Sequence, residues 1–391
     1  MLRNIQAMSE IKPLLTGILP HLAAPTSFLL LFTLPPFGLR RLAYLAVFTT
    51  FFSLCFLQFT VLSAWPQLQL ALSVTWMYYL GWLTKMLFHR PEHDFWRIGR
   101  PAHEAEKMSF GLKKLSWAFA LLSAPRGVGW NYQIANLRPR TKLVGRWWFA
   151  ARQTVRVIIL SIVSLFSGAI LMRWHRELNG FWKATLVPMI GIKCWSDAET
   201  QYALCNAILV AIGLAEEKDC FPLFGNNLTR LDSLQEFWGQ FWHQNFRTLF
   251  QDCGHAVCRL LRIRRHTQLY WTAQVWTAFL ISGAVHALAM SIEPGMSSTY
   301  TRFRALVVFF LLQAVGLTLE GLFLDTPVKD LTLYEVGLED EMLMGRIWTF
   351  GWLLFSGYWS LESWVGANWS LLSIFVLLTP ALKRSGLQAR S

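Results

Sequence analysis

Residues 271–290 read WTAQVWTAFLISGAVHALAM, twenty positions among which only His286 can ionise. A helix rising ~1.5 Å per residue needs about twenty apolar residues to cross the hydrocarbon core of a bilayer. The stretch has that length, so it reads as a membrane span, and His286 becomes the residue in it that needs a reason. Working outward, comparable apolar stretches recur at about 14 to 34, 42 to 65, 68 to 88, 157 to 172, 186 to 215, 303 to 324 and 347 to 378. The last is long enough for a hairpin of two short helices, and the pattern predicts seven to nine crossings. The run 115 to 124, flanked by Lys113, Lys114 and Arg126, is too short to cross and reads as re-entrant or interfacial. The expected fold is all-α, a polytopic transmembrane helical bundle that forms a single membrane-embedded domain over 1–391.

The composition agrees. Hydrophobic residues make up 54% of the 391 and charged residues only 15%, well under the quarter usual in soluble domains. A net charge of +13 would suit nucleic acid if it covered a soluble face, but the cations lie between the apolar stretches. From Lys85 to Arg156 there are fourteen Lys or Arg against the four acids Glu92, Asp94, Glu104 and Glu106. By the positive-inside rule 89–156 is a cytosolic loop, and counting crossings places 216–270 and the Arg40-Arg41 pair on the same side. The acidic stretch 325–346 lands there as well, where carboxylates carry little topological information. Many of the 20 tryptophans, such as Trp65, Trp271 and Trp348, sit at span ends as an interfacial belt requires. The six cysteines show no framework spacing and are expected to be reduced. Pro13, Pro20 and Pro25 interrupt the first apolar run, which argues against a cleaved signal peptide and for a retained first helix.

An ionisable residue at bilayer depth costs free energy unless it is paired or faces a polar cavity. One helical turn from His286 lie Ser282 and Gly283 on one side and Ala289 and Met290 on the other, small neighbours for the most part that leave room beside the ring. A neutral imidazole there could take the proton of an alcohol attacking a thioester. It could equally be a packing histidine bonded to a neighbouring backbone group. A second concentration of chemistry is 236–247, EFWGQFWHQNFR, in the 216–270 loop. Its mixed aromatic and polar residues could line a polar mouth with Arg247 toward phosphate oxygens, or form an amphipathic interfacial helix.

The run 237–247, FWGQFWHQNFR, followed by SGAVH at 282–286 and preceded by RGVGWN at 126–131, resembles the wax synthase-like branch of the membrane-bound O-acyltransferase superfamily. The resemblance covers about 126–290 in the expected order. It implies a bundle enclosing a catalytic tunnel, an acyl-CoA co-substrate arriving from the cytosol and a lipophilic alcohol acceptor arriving from the other side or from membrane lipid. His286 then corresponds to the catalytic histidine and His243 to a second site residue. His243 falls where sterol and diacylglycerol acyltransferases carry asparagine, whereas relatives of this branch carry histidine. Trp238, Trp242, Asn245, Arg247, Arg126 and Asn131 become the expected donor-binding residues. Gln240 and Phe241 replace the usual basic pair, which weakens any phosphate contact at those two positions. The implied chemistry needs no metal and no resident cofactor, and no nucleic-acid partner is expected. The compact size resembles fungal O-acetyltransferases acting on terpenoid or meroterpenoid metabolites, in the endoplasmic reticulum membrane. Long-chain wax ester synthesis is the alternative within the class, and a membrane transporter the alternative outside it.

Weaker signals fall away. His89-Arg-Pro-Glu-His93 has desaturase-box spacing, but the nine histidines include no adjacent pair. Cys253-Gly-His255-Ala-Val-Cys258 offers three zinc ligands without an evident fourth. Arg126-Gly-Val-Gly129 is too short for a phosphate loop and reads as a turn. The sequons at Asn227 and Asn368 fall in a proposed cytosolic loop and in an apolar stretch, Glu339-Asp340-Glu341 reads as a solvated loop, and Glu320 faces either the tunnel or the interface.

Overall fold

The computed structural model describes residues 2–61, 66–135, 137, 143–225, 231–291, 299–324 and 341–365. Its main helices are α1 (Leu2–Thr33), α2 (Arg40–Val61), α3 (Pro66–Phe88), α4 (Leu112–Leu122), α5 (Arg146–Trp174), α6 (Val187–Ala211), α7 (Arg247–Leu260), α8 (Gln268–Ser291), α9 (Thr299–Leu324) and α10 (Glu341–Val365). Among the described residues there is no strand, only an isolated bridge between Arg97 and Trp130. Each apolar stretch of the sequence coincides with a helix, except that the second half of the expected 347–378 hairpin lies outside the described residues. The two sequons and the 339–340 acidic pair lie outside them too. By length and composition three described helices, within α5, α8 and α9, suffice to cross a membrane. That supports a membrane-embedded all-helical fold and leaves the expected seven to nine crossings as a larger number than the three.

The helices are built for a solvent that cannot hydrogen-bond. On α5, Val155, Ile158, Ile159, Ile162, Leu165 and Phe166 are exposed, while Gln153, Ser161, Ser164 and Ser167 are buried. Apolar residues face out and polar residues face a neighbouring helix, the reverse of a water-soluble bundle. The neighbour is α6. Ser164 donates to Asp197 Oδ1 at 2.5 Å, Lys193 Nζ lies 2.9 Å from Asp197 Oδ2, and Arg156 lies 2.9 Å from Glu199. Charge at this depth is paired, as its desolvation requires.

The first three helices and α4 share one aromatic core, including Phe28, Tyr44, Trp76, Tyr79, Trp117 and Trp130. The 115–124 stretch, expected to be re-entrant or interfacial, forms most of α4 and buries Trp117, Ala118, Leu121 and Leu122 in that core while Leu112 and Phe119 stay exposed. Glu92 is buried beside it, 2.8 Å from Arg40 and 2.9 Å from Lys114. This triad ties α2, α4 and the Pro91–Asp94 turn together. On the other side α8 packs against α9, and α9 against α10. All six cysteines are free.

Candidate active site

The 236–247 run forms neither a continuous amphipathic helix nor an open loop. Ser233 Oγ accepts from Glu236 N at 3.0 Å and the Glu236 carboxylate accepts from Asp232 N at 3.0 Å, a reciprocal cap that starts a short helical turn. Glu320, reaching from α9, accepts from Leu234 N, Gln235 N and Trp348 Nε1 at 2.8, 3.0 and 2.9 Å. Its carboxylate sits at the positive end of that turn and is absent from the cavity wall described below. Phe237–Phe241 then widens into a π-turn closed by Trp242 N donating to Phe237 O at 2.7 Å. Such turns add a residue and re-aim side chains. Gln244 Nε2 donates to Trp238 O, and Arg247 Nη1 donates to Gly239 O at 2.9 Å and Gln244 Oε1 at 3.2 Å. Two polar side chains therefore brace the bend in which Trp242, His243 and Asn245 lie.

His286 stands on α8 opposite this bend. Its Nδ1 lies 2.8 Å from Ser282 O and 3.5 Å from Ser282 Oγ. A carbonyl oxygen can only accept, so Nδ1 carries the hydrogen and Nε2 keeps its lone pair. Among the described residues nothing bonds Nε2. The ring lies against Phe310 with centroids 4.7 Å apart. Gly283 permits this, because a Cβ there would stand 3.0 Å from Phe310 Cβ. Gly283 thus seats the ring that flanks the histidine.

Both histidines line one cavity of about 1930 Å³. Its wall also includes Arg126, Trp238, Trp242, Asn245 and Arg247. Along α6 the lining runs from Val187 to Leu209, a span of about 33 Å at 1.5 Å per residue. At its ends it includes the exposed Ile192, Leu209 and Leu214, so the cavity communicates with the surface. Burial among Phe224, Trp242 and Phe246, followed by the charge of the His286 ring, lowers the pKa of His243 to about 4. His243 is therefore neutral at pH 7, and the two imidazoles are close enough to sense each other.

The remaining expected residues divide. Trp238 Nε1 donates to Gln313 Oε1 at 3.3 Å, and the Asn245 side chain bonds Tyr78. Arg126 is buried and donates to Pro222 O, Tyr202 Oη and Phe221 O. Arg247, expected toward phosphate oxygens, and Arg126, expected among the donor-binding residues, thus both spend donors on main-chain carbonyls. Asn131 is outside the cavity lining; it donates to Asp94 O at 2.8 Å and accepts from Trp96 N at 3.1 Å. Gly127 and Gly129 adopt φ of 65° and 75°, and a Cβ at Gly127 would meet the Tyr132 ring at 2.7 Å, so the RGVG segment is a turn. The Cys253 to Cys258 stretch lies along α7, where His255 stacks on Tyr270 and Cys258 donates to Tyr270 O.

Sequence reasoning missed Tyr78, Tyr202 and Gln244, which line the same cavity. Gln244 sits inside the quoted run, and its long amide is the side chain best able to staple a bend of adjacent aromatic residues. Tyr78 and Tyr202 lie in apolar stretches with no surrounding pattern, so only packing reveals them.

Residues 220–312, which hold the π-turn, α7, α8 and half of α9, match the model of the membrane bound O-acyl transferase family. The chain is similar to the acetyltransferase sirH of Emericella nidulans, 26% identical over 298 residues that make up 70% of this chain and 66% of the relative. It is also similar to the acetyltransferase eriL of Hericium erinaceus, 27% identical with 62% and 65% covered, and to the O-mevalon transferase yanI of Aspergillus niger, 23% identical with 70% and 67% covered. The chain spans about two thirds of the length of these curated relatives. No solved structure matches it. The family match and the relatives agree: over residues 220–312 the chain is similar to the membrane bound O-acyl transferase family, and both histidines of the cavity-lining pair lie within that stretch.

Proposed function

We propose that this protein transfers an acyl group, specifically acetyl, from acyl-CoA to a hydroxyl of a lipophilic acceptor of the terpenoid or meroterpenoid class, in the endoplasmic reticulum membrane. The observation that carries the reading is the His286 tautomer: Nδ1 tied to Ser282 O and Nε2 unbonded in a large cavity. Nε2 takes the acceptor's O–H proton as that oxygen attacks the thioester carbon. The tetrahedral intermediate collapses, the C–S bond breaks, and the CoA thiolate leaves with the proton returned from Nε2. Neutral His243 can hydrogen-bond the reacting groups without adding charge. The names of the fungal acetyltransferases favour acetyl as the donor group. The chemistry uses ionisable protein groups and calls on no resident cofactor.

The test is CoA release by membranes carrying the protein, with acetyl-CoA and a panel of terpenoid alcohols. His286→Ala should abolish turnover with protein abundance intact, and a fully active variant would remove the proposed base. The cavity volume keeps long-chain wax ester synthesis as a second reading. A thioester series from acetyl to palmitoyl separates the two, because a tunnel built for long chains gains affinity with each buried methylene.

A further inference from the structure

Outside the cavity, the described residues hold one other cluster of ligating side chains. His93, at the end of the Pro91–Asp94 turn, His103 and Glu106 each place a donor atom within 4.8 Å of the others. The two imidazole rings stack with centroids 4.1 Å apart and planes 11° apart, and His93 Nδ1 lies 2.7 Å from Glu106 Oε1. His103 Nδ1 lies 2.6 Å from the carbonyl oxygen of His93. Since that oxygen only accepts, Nδ1 is the protonated nitrogen and Nε2 offers its lone pair. A backbone carbonyl that fixes the tautomer in this way is the outer-shell partner typical of a metal-bound histidine. His103 also adopts φ of 56°, a conformation that side-chain-bearing residues avoid. The His89 and His93 spacing, set aside in the sequence, forms no pair here, and His89 turns to Asp252 at 2.9 Å.

We propose that His93, His103 and Glu106 bind one divalent ion of the zinc class at the surface of the 89–156 segment, with water completing a tetrahedral shell. Two imidazoles and one carboxylate suit zinc better than magnesium or calcium, which prefer all-oxygen shells. Bonds of about 2.0–2.1 Å would draw the three donors to roughly 3.3 Å separations, within reach of side-chain rotation from the present 4.8 Å limit. The cluster is absent from the cavity wall, so the ion's role is to brace. It would staple the turn carrying buried Glu92 to the 103–106 turn. Between them Trp96 and Ile98 dock on Asn131 and Gly129, next to the Arg126 segment. The proposal does not depend on the acyl-transfer reading.

The experiment titrates chelator-treated, full-length protein in detergent with zinc chloride against a chromophoric chelator. His103→Asn and Glu106→Gln are compared with the parent, asparagine being chosen because it tolerates the left-handed backbone. One equivalent should bind the parent, with affinity at least ~10-fold weaker in each variant. Zinc should raise the thermal midpoint of the parent alone. X-ray absorption of the zinc adduct should show nitrogen and oxygen neighbours. Unchanged affinity in His103→Asn, no stoichiometric binding by the parent, or sulfur in the shell would each overturn the assignment.

Discussion

The segments 126–131 and 237–247 carry the same kind of residues, aromatic rings beside an arginine and an asparagine, yet they do different work. In 126–131 the arginine donors go to the carbonyls of Phe221 and Pro222 and to Tyr202, and Asn131 ties down Asp94 and Trp96. In that segment the polar side chains are spent on protein partners, although Arg126 also lines the cavity. In 237–247 the bracing is done by Gln244 and Arg247, which leaves His243 on the cavity wall facing the region of His286. The difference teaches that resemblance to a family pattern marks a neighbourhood. Which residues meet substrate depends on which polar atoms the fold has already used.

The comparison breaks first at the histidines. His286→Ala should lower turnover by about 10²–10⁴-fold, the range of a lost general base, with the protein still folded; a smaller loss measured on purified enzyme would move catalysis elsewhere. The next effect is on pH. The unfolded chain takes up a proton on His243 near 6.5, whereas the folded chain takes it up near 4, so the stability given by the neutral buried ring fades as pH falls between those values. The loss is at most about 3 kcal/mol. Thermal midpoints recorded from pH 7 to pH 4 should fall less steeply in His243→Asn than in the parent, and parallel curves would contradict the burial of that ring.

Scaffold residues should fail differently. Arg126→Met leaves Pro222 O and the Tyr202 oxygen without the arginine donor, while Phe221 O keeps the Tyr202 hydroxyl, and should cost about 2–3 kcal/mol of stability. Lower abundance and midpoint with preserved turnover per folded molecule would support a scaffold role, whereas a selective rise in KM for acyl-CoA would return Arg126 to donor binding. Asn131→Ala should cost only about 1 kcal/mol and leave KM unchanged, measured by the same pair of assays.

Much of the architecture was legible. Within the described residues each apolar stretch coincided with a helix, because twenty residues without charge have few other stable arrangements in lipid. His286 was legible for the same reason, as the single ionisable group of its span. Glu320 was not, since an acid in an apolar stretch looks alike whether it faces a tunnel or caps a helix belonging to a distant segment. Tyr78 and Tyr202 were invisible because they gain meaning only from partners far along the chain, Asn245 and Arg126.

What the sequence by itself determined is the helical, membrane-embedded character and the single ionisable residue of the 271–290 stretch, both consequences of local composition acting against lipid. Only the tertiary structure decided that His286 exposes Nε2, that His243 shares its cavity, and that the Arg126 and Arg247 side chains brace main-chain carbonyls. The reason is physical: a hydrogen-bonding group has few directions to offer, and which neighbour occupies them is settled by residues brought together from distant parts of the chain.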